Sequence, residues 1–447
     1  MGKEEDFKIS KELLDFINHS PSCFHAVQNI ADTLTAHGFS ELMESEEWKL
    51  NPGGLYFVRR NLSAIIAFKI PTGRIKGFQI AAAHGDSPSF KIKENMEIEA
   101  DGAYTKLNVE KYGGMLCAPW FDRPLSAAGR VVVKTDTGIE SRLVNVDRDL
   151  LLIPSLAIHM NRKANEGYQY SIQKDMLPLF GDEGAKGTFM DLVAETAGVE
   201  RDDVLGSDLY LYCRGRGTIW GAENEFLSAP KLDDLQCAFA LLQGFLAGSD
   251  PDSAAVYAVF DNEEVGSSTK QGADSTMLQD TLRRINSALG GSDPDYLRLL
   301  ASSFMISADN AHAVHPNHVS DADPTNHSHI NKGIVIKFSA NQKYSTDAVS
   351  AAIFRTICSR VNVPVQVFHN ESDTPGGSTL GNISTAQVSV NMVDIGLPQL
   401  AMHSAFETAG VRDTGYLARA AKVFYSSCLK YAGSGKYDIV FSDREPQ

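Results

Sequence analysis

An α/β alternation interrupted once is what most constrains this chain. After residue 230, helical and strand-like segments take turns: DDLQCAFALLQGFLAG reads as a helix, AAVYAVFD, FMISAD and GIVIKF as strands, DAVSAAIFRTICSRV as a helix and VNMVDIG as a strand. Alternation at this spacing predicts an α/β layer fold. Near the start, LSAIIAFKI and GFQIAAAHGD are short runs of Ile, Ala and Phe bounded by Gly, Pro and Asp, the pattern of buried strands. Ahead of them, SPSCFHAVQNIADTLTAHG reads as an amphipathic helix opened by Ser20 or Ser22 and closed by Gly38 at the C′ position. Between about residues 95 and 230 the pieces turn β-prone, RVVVKTD, SRLVNV and SDLYLYCRG, around one helix-like FMDLVAETAG. The simplest architecture is one α/β unit assembled from residues 1–94 and 231–447, with a β-rich unit, 95–230, inserted in its middle.

A chain of 447 residues has room for two or three domains at about 100–200 residues each. Its 56 acidic and 41 basic residues leave a net charge of −15, which repels phosphate and argues against nucleic acid or an anionic membrane as a partner. No stretch approaches the roughly 18 uninterrupted apolar residues of a membrane span, and MGKEEDFKIS carries neither the cationic leader nor the apolar run of a secretory signal. The six cysteines are scattered with no C-x-x-C pair, so neither a disulfide framework nor a zinc knuckle is expected. A cytoplasmic location fits these features.

The chemistry is concentrated where apolar strands stop. AAAHGDSP ends in His84 and Asp86, AVFDNEEVGS in Glu263 and Glu264, FMISAD in Asp309, and VDIGLPQLAMHS leads to His403. Ligands of open α/β sheets collect outside the carboxyl ends of the strands, so these distant residues are expected in one crevice. Asp233 lies just before a helix beginning near Asp234. Two imidazoles with several carboxylates suit zinc or, less selectively, cobalt or manganese. Three ligating carboxylates plus a hydroxide balance two divalent cations, which favours a two-metal centre with one bridging carboxylate. Of the adjacent Glu263 and Glu264, one can bind metal while the other acts as general base. Asp86 can orient the His84 imidazole. Taken singly, each residue also has a plain reading: Asp233 and Asp234 as helix-capping acids, Asp309 as a turn acid, His403 as a core histidine. Only the set shifts the balance. The histidine-rich AHAVHPNHVSDADPTNHSHI matches no metal motif, and TPGGSTLG lacks the lysine and spacing of a nucleotide loop.

At this point the sequence resembles the aspartyl aminopeptidases, a family of di-metal exopeptidases. The blocks AAHGDSP, WFDRPLSAAGRV, IPSLAIH, PKLDDL, DNEEVGS, SADNAHAVHPN, NQKYSTDAVS and LPQLAMHS are similar to that family's blocks in the same order, and the likeness starts at ELLDFINHSPSCFHAV. The resemblance implies a metal set of His84, Asp233, Glu264, Asp309 and His403, with Asp233 as the bridge, His84 and Asp309 on one ion, and Glu264 and His403 on the other. It implies Glu263 as general base, Asp86 as the support of His84, and two divalent ions per subunit, zinc first and cobalt or manganese as alternatives. It further implies a di-metal exopeptidase core interrupted by a β-rich dimerisation domain, assembly into homododecamers, and peptide substrates with an N-terminal Asp or Glu.

In that family the histidine of the IPSLAIH block, here His159, is presented to a neighbouring subunit's active site, and Lys343 is a candidate cation for a substrate carboxylate. Departures from the family pattern are Asp234, Gly85 and Phe406, where many relatives carry Asn, Thr and Arg. Loss of that arginine is expected to weaken the acidic preference. Two other functions use the same features: a di-metal amidase of N-acyl amino acids, and a non-catalytic shell or cargo protein that keeps the assembly without the chemistry.

Overall fold

A strand such as Gly77–His84 can be buried along its whole length only if both faces of its sheet are covered. The computed structural model, which describes residues 3–250 and 252–442, shows how. Ala81 and Ala83 face one core with Ala255, Tyr257, Val259 and Ile306, while Phe78, Ile80 and Ala82 face a second with Val256, Ala258, Phe260 and Met305. Successive side chains go to opposite faces, as a strand's period of two requires. The first core is closed by the helices Cys23–Ala36, Leu232–Ala247, Ala348–Arg360 and Asp413–Tyr425, the second by Met277–Ala288 and Asp293–Ala301.

The sheet between these layers has nine strands, in the order 40–41, 55–60, 64–69, 253–260, 77–84, 304–308, 391–396, 334–337 and 365–368. Its four central strands, Ser253–Phe260, Gly77–His84, Phe304–Ala308 and Asn391–Gly396, run parallel. The expected α/β layer fold is therefore present. The helix Cys23–Ala36 follows Ser22, and Gly38, at φ +84°, turns the chain out of it. That backbone suits glycine.

The β-rich segment forms a separate antiparallel sheet of six strands, in the order Gly138–Asn145, Leu125–Thr135, Val204–Cys213, Ser89–Ala100, Tyr104–Tyr112 and Leu179–Asp182. Its own core includes Phe90, Leu107, Val131, Phe189 and Leu209. The edges of this sheet differ from the expected boundaries at 95 and 230. Ser89–Ala100 is one continuous strand, already paired at Ser89 with Tyr112, so the second sheet starts almost at the end of the AAAHGDSP block. At the other end, Thr218–Trp220 and Phe226–Ala229 join a five-stranded sheet with Glu407–Gly410, Pro398–Leu400 and Ala311–His312. Such long-range pairing leaves no local mark in the sequence. No helix among the described residues is long and apolar enough to cross a membrane.

Phe245, fully buried, packs its ring 5.6 Å from Phe39, 5.7 Å from Tyr257 and 5.3 Å from Tyr425. Phe245→Ala should destabilise the α/β unit by about 3–5 kcal/mol through lost burial and the cavity left behind. Chemical denaturation followed by tryptophan fluorescence and far-ultraviolet dichroism reads this, and an unchanged midpoint would remove Phe245 from the core that carries stability.

Candidate metal centre

Parallel strands deliver their last residues to one edge of a sheet, and here those residues are charged. His84 is the final residue of Gly77–His84. Asp309 follows Phe304–Ala308 directly. After Ser253–Phe260 the chain turns at Asn262, φ +61°, into the short helical turn Glu263–Val265, which carries both glutamates. Asp233 stands at the start of Leu232–Ala247, beyond Lys231 at φ +57°, and the peptide joining it to Asp234 is cis. His403, φ +65°, lies in the loop between Pro398–Leu400 and Glu407–Gly410. Three non-glycine residues around this crevice, Lys231, Asn262 and His403, take left-handed backbone, which is uncommon outside glycine.

The imidazoles face the two oxygens of one carboxylate. His84 Nε2 is 3.4 Å from Asp233 Oδ1, and His403 Nε2 is 3.6 Å from Asp233 Oδ2 and 3.3 Å from Glu264 Oε2. His84, Asp233 and Glu264 each offer a ligand atom within 4.8 Å of the others. Direct N–H···O bonds usually close to about 2.9–3.0 Å. Two ligands at about 2.0–2.1 Å from a tetrahedral zinc lie about 3.3–3.4 Å apart, so these spacings suit donors arranged around cations.

Electrostatics points the same way. Asp233 Oδ1 and Glu264 Oε1 are buried without a hydrogen-bond partner. Burial by itself would raise the Asp233 carboxyl, but His403 and His84 outweigh it and hold the group well below the usual carboxylate range. Burial opposes charge on His84, yet Asp233 and Asp86 prevail and raise its pKa. Burial pushes Glu263 up to about 8, with Asp309, Asp86 and Asp233 adding to the effect against His84. Buried carboxylates at this density need positive charge beside them. The donor set, two imidazoles and several carboxylates with orphaned oxygens, therefore fits divalent metal.

Neighbouring groups fix the donors in place. His84 Nδ1 lies 3.1 Å from the Asp86 carbonyl oxygen and 3.4 Å from its Oδ1. The Asp86 carboxylate also accepts the backbone N–H groups of Glu263 and Glu264, each at 3.2 Å. Glu407, which sequence reasoning missed, accepts from the backbone N–H of Asp233 at 3.0 Å and of His403 at 2.7 Å. Asp234 accepts from the His84 backbone N–H at 3.3 Å.

These residues line a cavity of about 530 Å³ that includes His84, Asp233, Glu263, Glu264, Asp309 and His403. Lys343 and His159 do not line it: Lys343 is exposed in the turn before Tyr344, and His159 is exposed on a loop with Leu156, Ile158 and Met160. The lysine that does is Lys337, buried at the end of Ile334–Lys337 with its Nζ 3.2 Å from Asp309 Oδ1. Its position at the end of the apolar run GIVIKF was the available signal. Gly377, Ser378 and Thr379 of TPGGSTLG also line the cavity, so that segment is a wall of this site.

Comparison with known proteins agrees with this geometry. Residues 16–425 match the sequence profile of the aminopeptidase I zinc metalloproteases, M18. The chain is 46% identical over 431 residues to a probable M18 family aminopeptidase 2 of Clostridium acetobutylicum, covering 95% of this chain and 100% of that protein. It is 40% identical over 430 residues to a probable M18 family aminopeptidase 2 of Pseudomonas syringae pv. syringae, covering 94% and 98%. Among solved structures it superposes on Ape4 in a complex of Ape4 and Nbr1 with a TM-score of 0.90 at 34% identity, covering 95% of this chain and 87% of that one. It also superposes on the yeast mApe1 dodecamer with a TM-score of 0.82 at 28% identity, covering 93% and 96%. A strand-end cluster of imidazoles and carboxylates on this fold, together with a match over nearly the whole length, places the chain in the M18 family of zinc metalloproteases and makes it a metallo-aminopeptidase.

Proposed function

We propose that this aminopeptidase would hold two divalent ions per subunit, zinc in preference to cobalt or manganese, on Asp233 as the shared carboxylate, with His84 and Asp309 serving one ion and Glu264 and His403 the other. The observation that carries this reading is the single Asp233 carboxylate facing His84 Nε2 at 3.4 Å and His403 Nε2 at 3.6 Å. Bound ions of this kind acidify water and polarise a carbonyl. Glu263 would take the proton of a water acidified by such ions and return it to the leaving amine. Asp86 holds Glu263 and Glu264 by their backbone N–H groups.

For the substrate we propose an N-terminal Asp or Glu. Lys337 is the one lysine lining the cavity among the described residues, and Phe406 does not line it; the Arg123 guanidinium lies 5.8 Å from the centre of the Phe406 ring. For the assembly we propose a cytoplasmic homododecamer, in line with the mApe1 dodecamer on which the chain superposes. The β-rich insertion, expected at 95–230 and with its sheet within 89–213, then serves as the oligomerisation unit. Leu156, Ile158 and Met160, 53%, 49% and 75% exposed around His159, are costly on a lone subunit and suit burial against a neighbour, which would bring His159 to that neighbour's cavity.

Glu263→Gln should keep fold and metal content while lowering kcat by at least about 100-fold, the scale of a lost general base; near-wild-type turnover would remove Glu263 from that role. His403→Ala should reduce the metal content of purified protein, read by elemental analysis, and full content would remove His403 from the set. A panel of aspartyl, glutamyl and leucyl amides beside N-acyl amino acids, assayed on size-fractionated protein, decides the substrate. Faster cleavage of leucyl than of aspartyl amides would overturn the acidic preference.

A further inference from the structure

The β-rich sheet touches the metal centre within one subunit, before any partner is considered. Its first strand, Ser89–Ala100, leaves directly from the His84–Pro88 turn, and its next strand, Tyr104–Tyr112, comes back to that turn with Tyr112 paired to Ser89. From this return point five consecutive residues, YGGML, run across the site. Tyr112 donates its hydroxyl hydrogen to Asp86 Oδ2 at 2.6 Å and accepts from Asn262 Nδ2 at 2.9 Å. Gly113, at φ +75°, lies so close to Glu264 that a Cβ there would sit 3.1 Å from the Glu264 Cβ. Gly114 lines the cavity, and a Cβ on it would lie 3.8 Å from His403 Nδ1. The Leu116 N–H donates to the His403 carbonyl oxygen at 3.1 Å.

We infer that Tyr112–Leu116 is a strap by which the inserted sheet positions the metal donors of both halves of the site. Tyr112 acts through Asp86 on His84 and on the Glu263–Glu264 turn; Gly113 and Leu116 act on Glu264 and His403. Tyr112 is a positioning residue, since its hydroxyl reaches the donors only indirectly, through Asp86 and Asn262. Asp86 already accepts two backbone N–H groups, and the phenol is a third donor on the same carboxylate. Three donors fix the carboxylate, and with it the Glu263–Glu264 turn and the Asp86 segment, whose carbonyl oxygen lies 3.1 Å and Oδ1 3.4 Å from His84 Nδ1. This inference rests on the metal set proposed above and adds the insertion to what builds it.

Tyr112→Phe keeps the ring and deletes the hydroxyl. Chelator competition on the metal-free protein should show zinc affinity weakened about 10–100-fold, the usual cost of losing a group that orients a ligand. The absorption spectrum of the cobalt-substituted protein should change, while the melting temperature of the metal-free protein stays close to wild type. Gly113→Ala, which pushes on Glu264 from the other side, should weaken zinc in the same way and covers the case in which the first variant folds poorly. If both variants bind zinc like wild type and give an unaltered cobalt spectrum, whether or not their melting temperatures fall, the strap is only structural and the inference is overturned. His84→Ala separates the two levels: zinc binding untouched by that change overturns the metal set and this inference with it. Zinc lost in His84→Ala but unaltered in Tyr112→Phe and Gly113→Ala overturns the strap alone.

Discussion

One buried carboxylate shared between two imidazoles governs much of this molecule. Asp233 is buried, as are Asp234, Asp86, Glu407 and His84, and charge at that density is tolerated only where cations, backbone N–H groups and imidazoles balance it. The surroundings read as answers to that demand. Glu407 ties Asp233 and His403 together through their backbone N–H groups, Asp86 does the same for Glu263 and Glu264, and Lys337 neutralises Asp309. The donors come from chain positions far apart, so their relative placement depends on the rigidity of the sheet beneath them.

That rigidity comes from the two-faced packing of the central strands. Small residues, Ala81, Ala82 and Ala83, precede His84 and let helices approach closely on both faces. Gly244 shows how close: a Cβ there would lie 2.4 Å from that of Ala421, where Leu232–Ala247 meets Asp413–Tyr425. The helix that begins beside Asp233 is thereby locked against the rest of the core, and a shift in it would move the Asp233 carboxylate.

The layer architecture and the convergence of strand-end residues were legible in the sequence because both follow from local patterns: apolar runs of strand length, each stopped by an acid or a histidine. His84, Asp309 and the Glu263–Glu264 pair could be found that way. Residues that act on partners distant in sequence left no such mark. Glu407 works through two backbone N–H groups, one of them far upstream; Tyr112 reaches Asp86 from another sheet; Lys337 reads as the polar end of a strand until Asp309 is placed beside it. Lys343 carries the same charge six positions later, but the turn that holds it faces solvent. The sheet boundary near residue 95 was displaced for a related reason, since strand length is set by the partner's register, here Tyr104–Tyr112 against Ser89–Ala100.

The order of strands also bears on how a nascent chain comes to be finished. Gly77–His84 has as its sheet neighbours Ser253–Phe260 and Phe304–Ala308, and both are synthesised long after it. During translation this apolar strand therefore emerges with both edges bare, a condition that invites aggregation and the attention of chaperones. The β-rich sheet, whose pairings lie within residues 89–213, can complete those pairings while the rest is still on the ribosome. His403, the last imidazole of the cluster, is synthesised long after His84, so the two cannot meet across Asp233 until translation has passed that point.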